Sequence, residues 1–294
     1  MDEGDWLVER FQTHRARLRA VAYRMLGSLS EADDAVQEAW LRLSRAGTGG
    51  VDDLGRWLTT VVARVCLDML RSRAARREEP LGVHLPDPII GPADAPDPEQ
   101  EALLGDAVGL ALLVVLEELA PAERLALVLH DTFAVPFEEI AAILGRSPAA
   151  ARQLASRARR RVRASTALPD ADLARQRRVV DAFLAAARNG DLDALVAVLD
   201  PDVVVRADWG TVPAGASRTL RGARAVAKQA LAFSQRARSV RPALVNGTAG
   251  VVADTGGRLL AVMGFTVRRG KIVEIDILAD PARLRRFDLP VPHT

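Results

Sequence analysis

Apolar residues over positions 6 to 77 recur three and four apart, the period of helices that bury one face. The pattern breaks near Gly27-Ser28 and across Gly47-Thr48-Gly49-Gly50, so this stretch predicts a small set of packed helices. Ser30, followed by Glu31, Asp33 and Asp34, places a cap and negative charge at a helix start, where unpaired N–H groups favour both. From there Ala35, Val36, Ala39, Trp40 and Leu43 share one face, leaving Asp33, Asp34, Gln37, Glu38 and Arg42 outward. The next helix, about Leu54 to Arg73, turns Trp57, Leu58, Val61, Val62, Val65 and Leu70 inward.

Six prolines between residues 80 and 98 end that pattern and predict an extended linker. Helices resume at about Glu99 to Leu119, Pro121 to Thr132, Phe137 to Leu144 and Pro148 to Ala164, and Leu168-Pro169-Asp170 forms a second, shorter joint. After two more helices, Ala171 to Arg188 and Leu192 to Leu199, the chain turns to β-rich runs. These are Val203 to Val205, Ala243 to Val245, Val251 to Ala253, Leu259 to Val267 and Lys271 to Leu278. Asn246-Gly247, Thr255-Gly256-Gly257 and Arg268-Arg269-Gly270 are hairpin connections. Helices followed by a meander predict a separate α+β domain. The organisation is thus a helical domain over 1–79, a linker over 80–98, a second helical domain over 99–168 and an α+β domain over 169–294.

Composition sharpens this. With 49% hydrophobic but only 4% aromatic residues, the cores are built from Ala, Val and Leu, which favours helix packing. Cys66 is the single cysteine and no Cys/His cluster has metal-ligand spacing, so neither a metal nor a cofactor is expected. Four acids stand among the first nine residues and no run approaches a membrane span, so a cytoplasmic protein without membrane attachment is expected. The net charge of +2 divides into −4 over residues 1–168 and +6 beyond. Clustering matters more than the total, because screening confines electrostatics to about 8 Å at physiological salt. Arg64 to Arg77 holds five arginines against Asp68 alone, and Arg152 to Arg163 holds six with no acid.

The second cluster sits on a recognisable device. A short helix from Phe137 to Leu144, the turn Gly145-Arg146-Ser147 and a helix opening on Pro148 have the spacing of a helix-turn-helix DNA reader. Ala151, Leu154, Ala155, Ala158 and Val162 face inward, leaving Arg152, Gln153, Ser156, Arg157 and Arg160 outward. Arginine and glutamine can bond guanine and adenine edges, so Arg152, Gln153 and Ser156 are expected nearest bases. Arg159, Arg161 and Arg163 are expected mainly on phosphate.

Two stretches carry a wider resemblance. Gly27-Ser28-Leu29-Ser30-Glu31-Ala32-Asp33-Asp34-Ala35-Val36-Gln37-Glu38-Ala39-Trp40-Leu41-Arg42-Leu43 and Arg56-Trp57-Leu58-Thr59-Thr60-Val61-Val62-Ala63-Arg64 resemble region 2 of the extracytoplasmic-function sigma factors of bacterial RNA polymerase. Leu116-Glu117-Glu118-Leu119-Ala120-Pro121-Ala122-Glu123-Arg124 and the helix-turn-helix resemble their region 4. The resemblance implies an all-α region 2 domain, an all-α region 4 domain, and core RNA polymerase (clamp and flap) and promoter DNA as partners. It implies that Asp33, Asp34, Gln37 and Glu38 grip the polymerase clamp, although such a row also suits an ordinary solvated face. It places Arg56, Trp57, Thr60, Arg64 and Arg71 against the −10 strand, together with the loop from Gly47 to Asp53, with Trp57 equally readable as a core anchor. Arg152, Gln153, Ser156, Arg157, Arg159 and Arg160 fall to the −35 duplex.

Residues 171 to 284 resemble the SnoaL-like family, an α+β cone-shaped barrel that some of these sigma factors carry at their C-terminus. His84-Leu85-Pro86-Asp87-Pro88, Asp208-Trp209-Gly210-Thr211 and Ala279-Asp280-Pro281-Ala282-Arg283-Leu284 match, with departures, three motifs typical of that subgroup. The resemblance implies a regulatory role for Asp208, Trp209, Asp280, Pro281 and Leu284, through docking on the sigma domains or the linker. Arg206, Asp208 and Trp209 either line a small-molecule pocket or form a strand end with a packing Trp. Asp208 and Asp276 offer carboxylates, but the only His after residue 169 is His293 and no Tyr follows it, so no catalytic residue is expected. Two alternatives stand beside a sigma factor: a one-component helix-turn-helix regulator with a ligand-sensing C-terminal domain, and a SnoaL-type enzyme.

Overall fold

The structure, a computed structural model, describes residues 3–46, 53–76, 83–93, 109–165, 169–210, 218–235, 239–255 and 258–287. The expected loop over 47–52, the start of the helix placed at Glu99, and the turn residues Gly256-Gly257 lie outside the described residues. The chain forms two compact units. One comprises Met1–Glu79, Glu101–Gly105 and Leu113–Thr166; the other comprises Pro80–Gln100, Asp106–Leu112 and Ala167–Thr294. Both helical domains therefore share a unit, and the proline-rich segment groups with the C-terminal domain.

In the first unit, α1 (Glu3–Leu26), α2 (Leu29–Ala46) and α3 (Leu54–Arg76) pack pairwise. Gly27 ends α1 at φ 73°, a left-handed conformation that residues with a side chain rarely adopt. Helix α2 starts one residue ahead of the expected Ser30 cap, with Ala32 N donating to Ser28 O at 3.0 Å. Its inward face is as the pattern predicts: Ala35, Val36, Ala39 and Leu43 are buried, and Trp40 lies half-buried at 5.1 Å from the Phe11 ring. Cys66 is buried in α3, and burial pushes its thiol pKa up. Beyond α4 (Leu110–Glu117), the single helix expected from Pro121 to Thr132 divides into α5 (Pro121–Leu127) and a π-helical turn (Val128–Thr132). Helices α6 (Phe137–Leu144) and α7 (Pro148–Ser165) follow.

In the second unit, α8 (Leu173–Asn189), α9 (Leu192–Val198) and α10 (Ala223–Ser234) accompany a seven-stranded sheet of order β1-β4-β5-β6-β7-β2-β3. The strands are β1 (Ile90–Pro92), β2 (Leu199–Asp208), β3 (Arg218–Arg221), β4 (Ser239–Val245), β5 (Thr248–Thr255), β6 (Arg258–Arg268) and β7 (Lys271–Leu278), with a short α11 (Pro281–Leu284) after them. The antiparallel meander β4 to β7 is the predicted one. Its turns at Asn246-Gly247 and Arg269-Gly270 hold all four residues at positive φ, the requirement of a two-residue hairpin. Three features were not in the pattern: β2 runs parallel to β7, β3 and α10 lie between β2 and β4, and β1 is drawn from the proline-rich segment. The core gathers Phe183, Val203, Val205, Phe265, Ile272 and Ile275, with the two Phe rings edge-on at 5.6 Å.

Candidate nucleic-acid interface

The helix-turn-helix is built from local backbone chemistry. Gly145 closes α6 at φ 64°, its N–H donating to Ala141 O. Arg146 N donates to the same carbonyl at 3.0 Å, which makes the turn tight. Ser147 Oγ then accepts from Ala150 N at 3.3 Å, and Pro148 opens α7 where its missing N–H loses no bond. Helix α7 buries Ala151, Leu154, Ala155 and Ala158, leaves Val162 at the margin, and exposes Arg152, Gln153, Ser156, Arg157 and Arg160.

Acids from neighbouring elements meet several of these guanidinium groups. Arg152 pairs with Glu138 at 2.9 Å and lies over the Phe137 ring. Arg159 grips Asp131 through two bonds of 2.7 and 2.6 Å, which hold its pKa above the ordinary value. Arg157 and Arg161 share Glu123 at 3.7 and 2.9 Å. Arg160 and Arg163 make no ion pair among the described residues. The arginines of these pairs are 36–60% exposed, so each pair contributes at most about 1 kcal/mol.

The residues expected at the −10 strand lie on α3. Arg56, Thr60 and Arg64 stand one turn apart along one side of it, and Arg56 and Arg64 are exposed. Asp53 caps the helix by accepting from Arg56 N at 2.9 Å. Trp57 is half-buried and Arg71 is exposed, 3.9 Å from Asp68. On α2, Asp33 pairs with Arg19 at 2.7 Å and Glu38 with Arg42 at 2.8 Å, while Asp34 and Gln37 are exposed.

Periodicity gave no sign of the contacts that join these helices within the first unit. Arg56 pairs with Glu139 of α6 at 2.9 Å. Arg17 donates to Phe133 O at 3.1 Å, and the Arg24 guanidinium lies 5.2 Å from the Phe133 ring. Arg124, 4% exposed, donates from Nη1 to Met25 O at 2.8 Å. Desolvation lowers its pKa to about 10 against the pull of Glu117, and its Nε has no acceptor among the described residues.

In the second unit the three C-terminal motifs meet at Asp208. This carboxylate, 2% exposed, accepts from Leu85 N at 3.0 Å, Arg283 Nη1 at 2.8 Å and Gly210 N at 2.9 Å. Arg283 also reaches Asp87 at 2.6 Å. Leu85 is fully buried, Ile89 N donates to Asn246 Oδ1 at 3.1 Å, and β1 pairs with β4. Asp280 caps α11 through Ala282 N, Pro281 is its first residue and Leu284 is buried. A Cβ on Gly210, at φ 76°, would fall 2.7 Å from the Asp280 carboxyl carbon, so only glycine fits. Arg283, inside the matched Ala279–Leu284 motif but not among the residues singled out there, adds a side-chain contact to the linker segment through Asp87.

The structure decides between the two readings of Arg206, Asp208 and Trp209. Alternation along β2 sends Val205, Ala207 and Trp209 into a cavity but turns Arg206 and Asp208 to the other face. Only Trp209 of the three expected residues lines it. Arg206 instead lies against Asp276 at 2.9 Å and Glu274 at 3.4 Å. Burial pushes both carboxyls above the ordinary range. Burial alone would lower Arg206, but the two acids outweigh it and hold its pKa above the usual value.

A three-helix bundle followed by a helix-turn-helix, each with an exposed basic helix, defines a DNA-binding transcription protein. The Sigma-70 region 2 model matches residues 10–76 and the Sigma-70 region 4 model residues 109–162. The chain is 43% identical to the ECF RNA polymerase sigma factor SigJ of Mycobacterium tuberculosis, over 93% of this chain and 92% of that protein. It is 31% identical to the sigma factor SigG of the same species, over 66% of this chain and 59% of that one. The crystal structure of M. tuberculosis SigJ superposes with a TM-score of 0.78 at 38% identity, covering 96% of this chain and all of the other. The protein belongs to the extracytoplasmic-function sigma factors of RNA polymerase. That membership sets aside the one-component regulator.

Proposed function

We propose that α7 reads the −35 duplex and α3 the −10 strand, while the C-terminal domain controls in cis when they do so, without catalysis of its own. The exposed face of α7 supports this reading: Arg152, Gln153 and Ser156 have the chemistry to bond base edges, and Arg157, Arg159 and Arg160 to bond phosphates. Arg56, Trp57, Thr60, Arg64 and Arg71 take the single strand, and Asp33, Asp34, Gln37 and Glu38 the polymerase clamp. Core polymerase supplies the chemistry, which puts the protein's work in the cytoplasm.

The Arg56–Glu139 pair makes the arrangement of the first unit an off state. Elements centred at −10 and −35 are about 85 Å apart at 3.4 Å per base pair, so helices held in direct contact cannot engage both. The segment that must span that distance is the one carrying Leu85 and Asp87, bound by Asp208 and Arg283. Holding the linker would favour the closed form, and releasing it the open one.

Reconstituted transcription with core polymerase tests both parts. Start-site selection should depend on the added protein and fail with Arg152→Ala/Gln153→Ala. Truncation after Leu168 or Arg283→Ala should change transcript yield from the same promoter. Yields equal to the full chain in both would remove the regulatory role and leave promoter reading intact.

A further inference from the structure

Helices α8 and α10 and the sheet enclose a cavity of about 430 Å³ in the C-terminal unit, within the size range of small-molecule sites. Its walls are apolar, with Phe183, Val205, Trp209, Phe233 and Met263 among them. Two arginines, Arg188 at the end of α8 and Arg218 on β3, also belong to the lining. Both are exposed, and neither has an ion-pair partner among the described residues. Among the described residues no Asp, Glu, His or Tyr lines the cavity, so they supply neither a counter-ion for these arginines nor a general base.

The sequence around the cavity deepens the charge asymmetry. Between Asp208 and Asp254 there is no acidic residue, while Arg218 and Arg221 stand on β3 and Arg224 and Lys228 on α10. This run supplies β3, α10 and β4, three of the elements around the cavity. Positive charge beside a low-dielectric apolar wall focuses potential on the opening and attracts anions. A guanidinium also matches a carboxylate in bidentate geometry.

We propose that this cavity is a binding site for an amphipathic anion, a carboxylate carried on an acyl or aromatic body. The body fills the space lined by Phe183, Trp209, Phe233 and Met263, and the carboxylate rests on Arg188 and Arg218. The site stands on its own lining and charge, whether or not the linker contact regulates transcription.

Displacement of the fluorescent probe anilinonaphthalene sulfonate from the full chain tests this, with decanoate, decanol and decyltrimethylammonium as competitors. Decanoate should displace one probe per chain and bind about tenfold or more tighter than the other two, a difference of about 1.4 kcal/mol. Arg188→Glu/Arg218→Glu alters two exposed positions, so the fold is retained. It should weaken decanoate about tenfold and turn the preference toward the cation. Ala230→Trp, which fills the cavity from α10, should abolish displacement by decanoate. Equal binding of decanol and decanoate, or decanoate affinity unchanged by the charge reversal, would overturn the proposal. So would undiminished decanoate displacement in a folded Ala230→Trp chain.

Discussion

Helix α7 and the C-terminal sheet both set arginine against carboxylate, in opposite surroundings. On α7, Arg152, Arg157 and Arg161 are 56%, 52% and 60% exposed in their pairs. Around the sheet, the side chains of Arg206 on β2 and Arg283 on α11 are 17% and 12% exposed, against those of Asp276 at 2% and Asp208 at 3%. The same chemistry therefore does different work. An exposed pair exchanges water for a partner at little gain, so under the proposed reading of the −35 duplex the acids around α7 would be placeholders that phosphate can replace. A buried pair is fixed, because removing one partner strands the other without solvent.

The largest expected effect follows from the buried side. Asp208→Ala leaves Arg283 with Asp87 alone and the N–H of buried Leu85 without its acceptor. Unfolding of the C-terminal unit in urea should lose about 3–5 kcal/mol. Asp131→Ala, which breaks the shortest pair of α7, should lose no more than about 1 kcal/mol. Equal losses would abolish the distinction.

Acid titration sharpens the same contrast. Asp276 and Glu274 have folded-state pKa values raised by burial, so the unfolded chain releases their protons more readily. Stability then falls as pH rises through the window between the ordinary and the raised values, and grows as pH descends from neutrality into it. Asp276→Asn should flatten this slope in pH-dependent melting. Asp170 has the opposite sign. Bonds from Arg269 N, then Gly270 N, hold its carboxyl below the ordinary range, so its contribution is present above the unfolded value and lost as pH falls below it. The two effects occupy different windows and separate in one titration.

Phosphate contact gives the next smaller effect. Among the described residues Arg160 and Arg163 of α7 pair with no acid, so in the proposed reading each would meet phosphate directly. Their replacement by alanine should reduce the slope of log affinity against log salt by about 0.9 for each phosphate contact removed, measured on a −35 duplex. The comparable change at Arg206 should leave the slope untouched.

How much of this was legible in the sequence follows from which interactions are local. Helix faces, the Gly145 turn, the Ser147 cap and the Asn246-Gly247 hairpin rest on neighbours in the chain, and periodicity exposes them. The meander from β4 to β7 is local in the same sense. The parallel pairing of β2 with β7, the capture of Ile90–Pro92 by β4 and the Arg56–Glu139 contact join residues far apart in sequence, where periodicity is silent. Of the two readings of Arg206, Asp208 and Trp209, a pocket shared by all three fails for a related reason. Period two establishes that Arg206 and Trp209 lie on opposite faces of β2, so a shared pocket was inconsistent with the strand itself. Arg283 was missed because its motif was matched by its Asp-Pro, while the contact is made by the residue two beyond that Pro.

The smallest expected effect tests the placeholder idea directly. Glu138 holds Arg152 at 2.9 Å, and both side chains are more than half exposed. If the acid occupies the place that DNA takes, Glu138→Gln removes a competitor and should tighten binding to the −35 duplex about two- to fivefold, within the roughly 1 kcal/mol of an exposed pair. Arg152→Ala should weaken binding, and in its presence Glu138→Gln should have no further effect, because the competition requires the guanidinium. A double-mutant cycle on duplex affinity reads this coupling, and the same cycle on unfolding should return less than about 1 kcal/mol. Coupling in stability without coupling in DNA binding would make Glu138 a structural partner of α7 and leave its arginines competing with nothing.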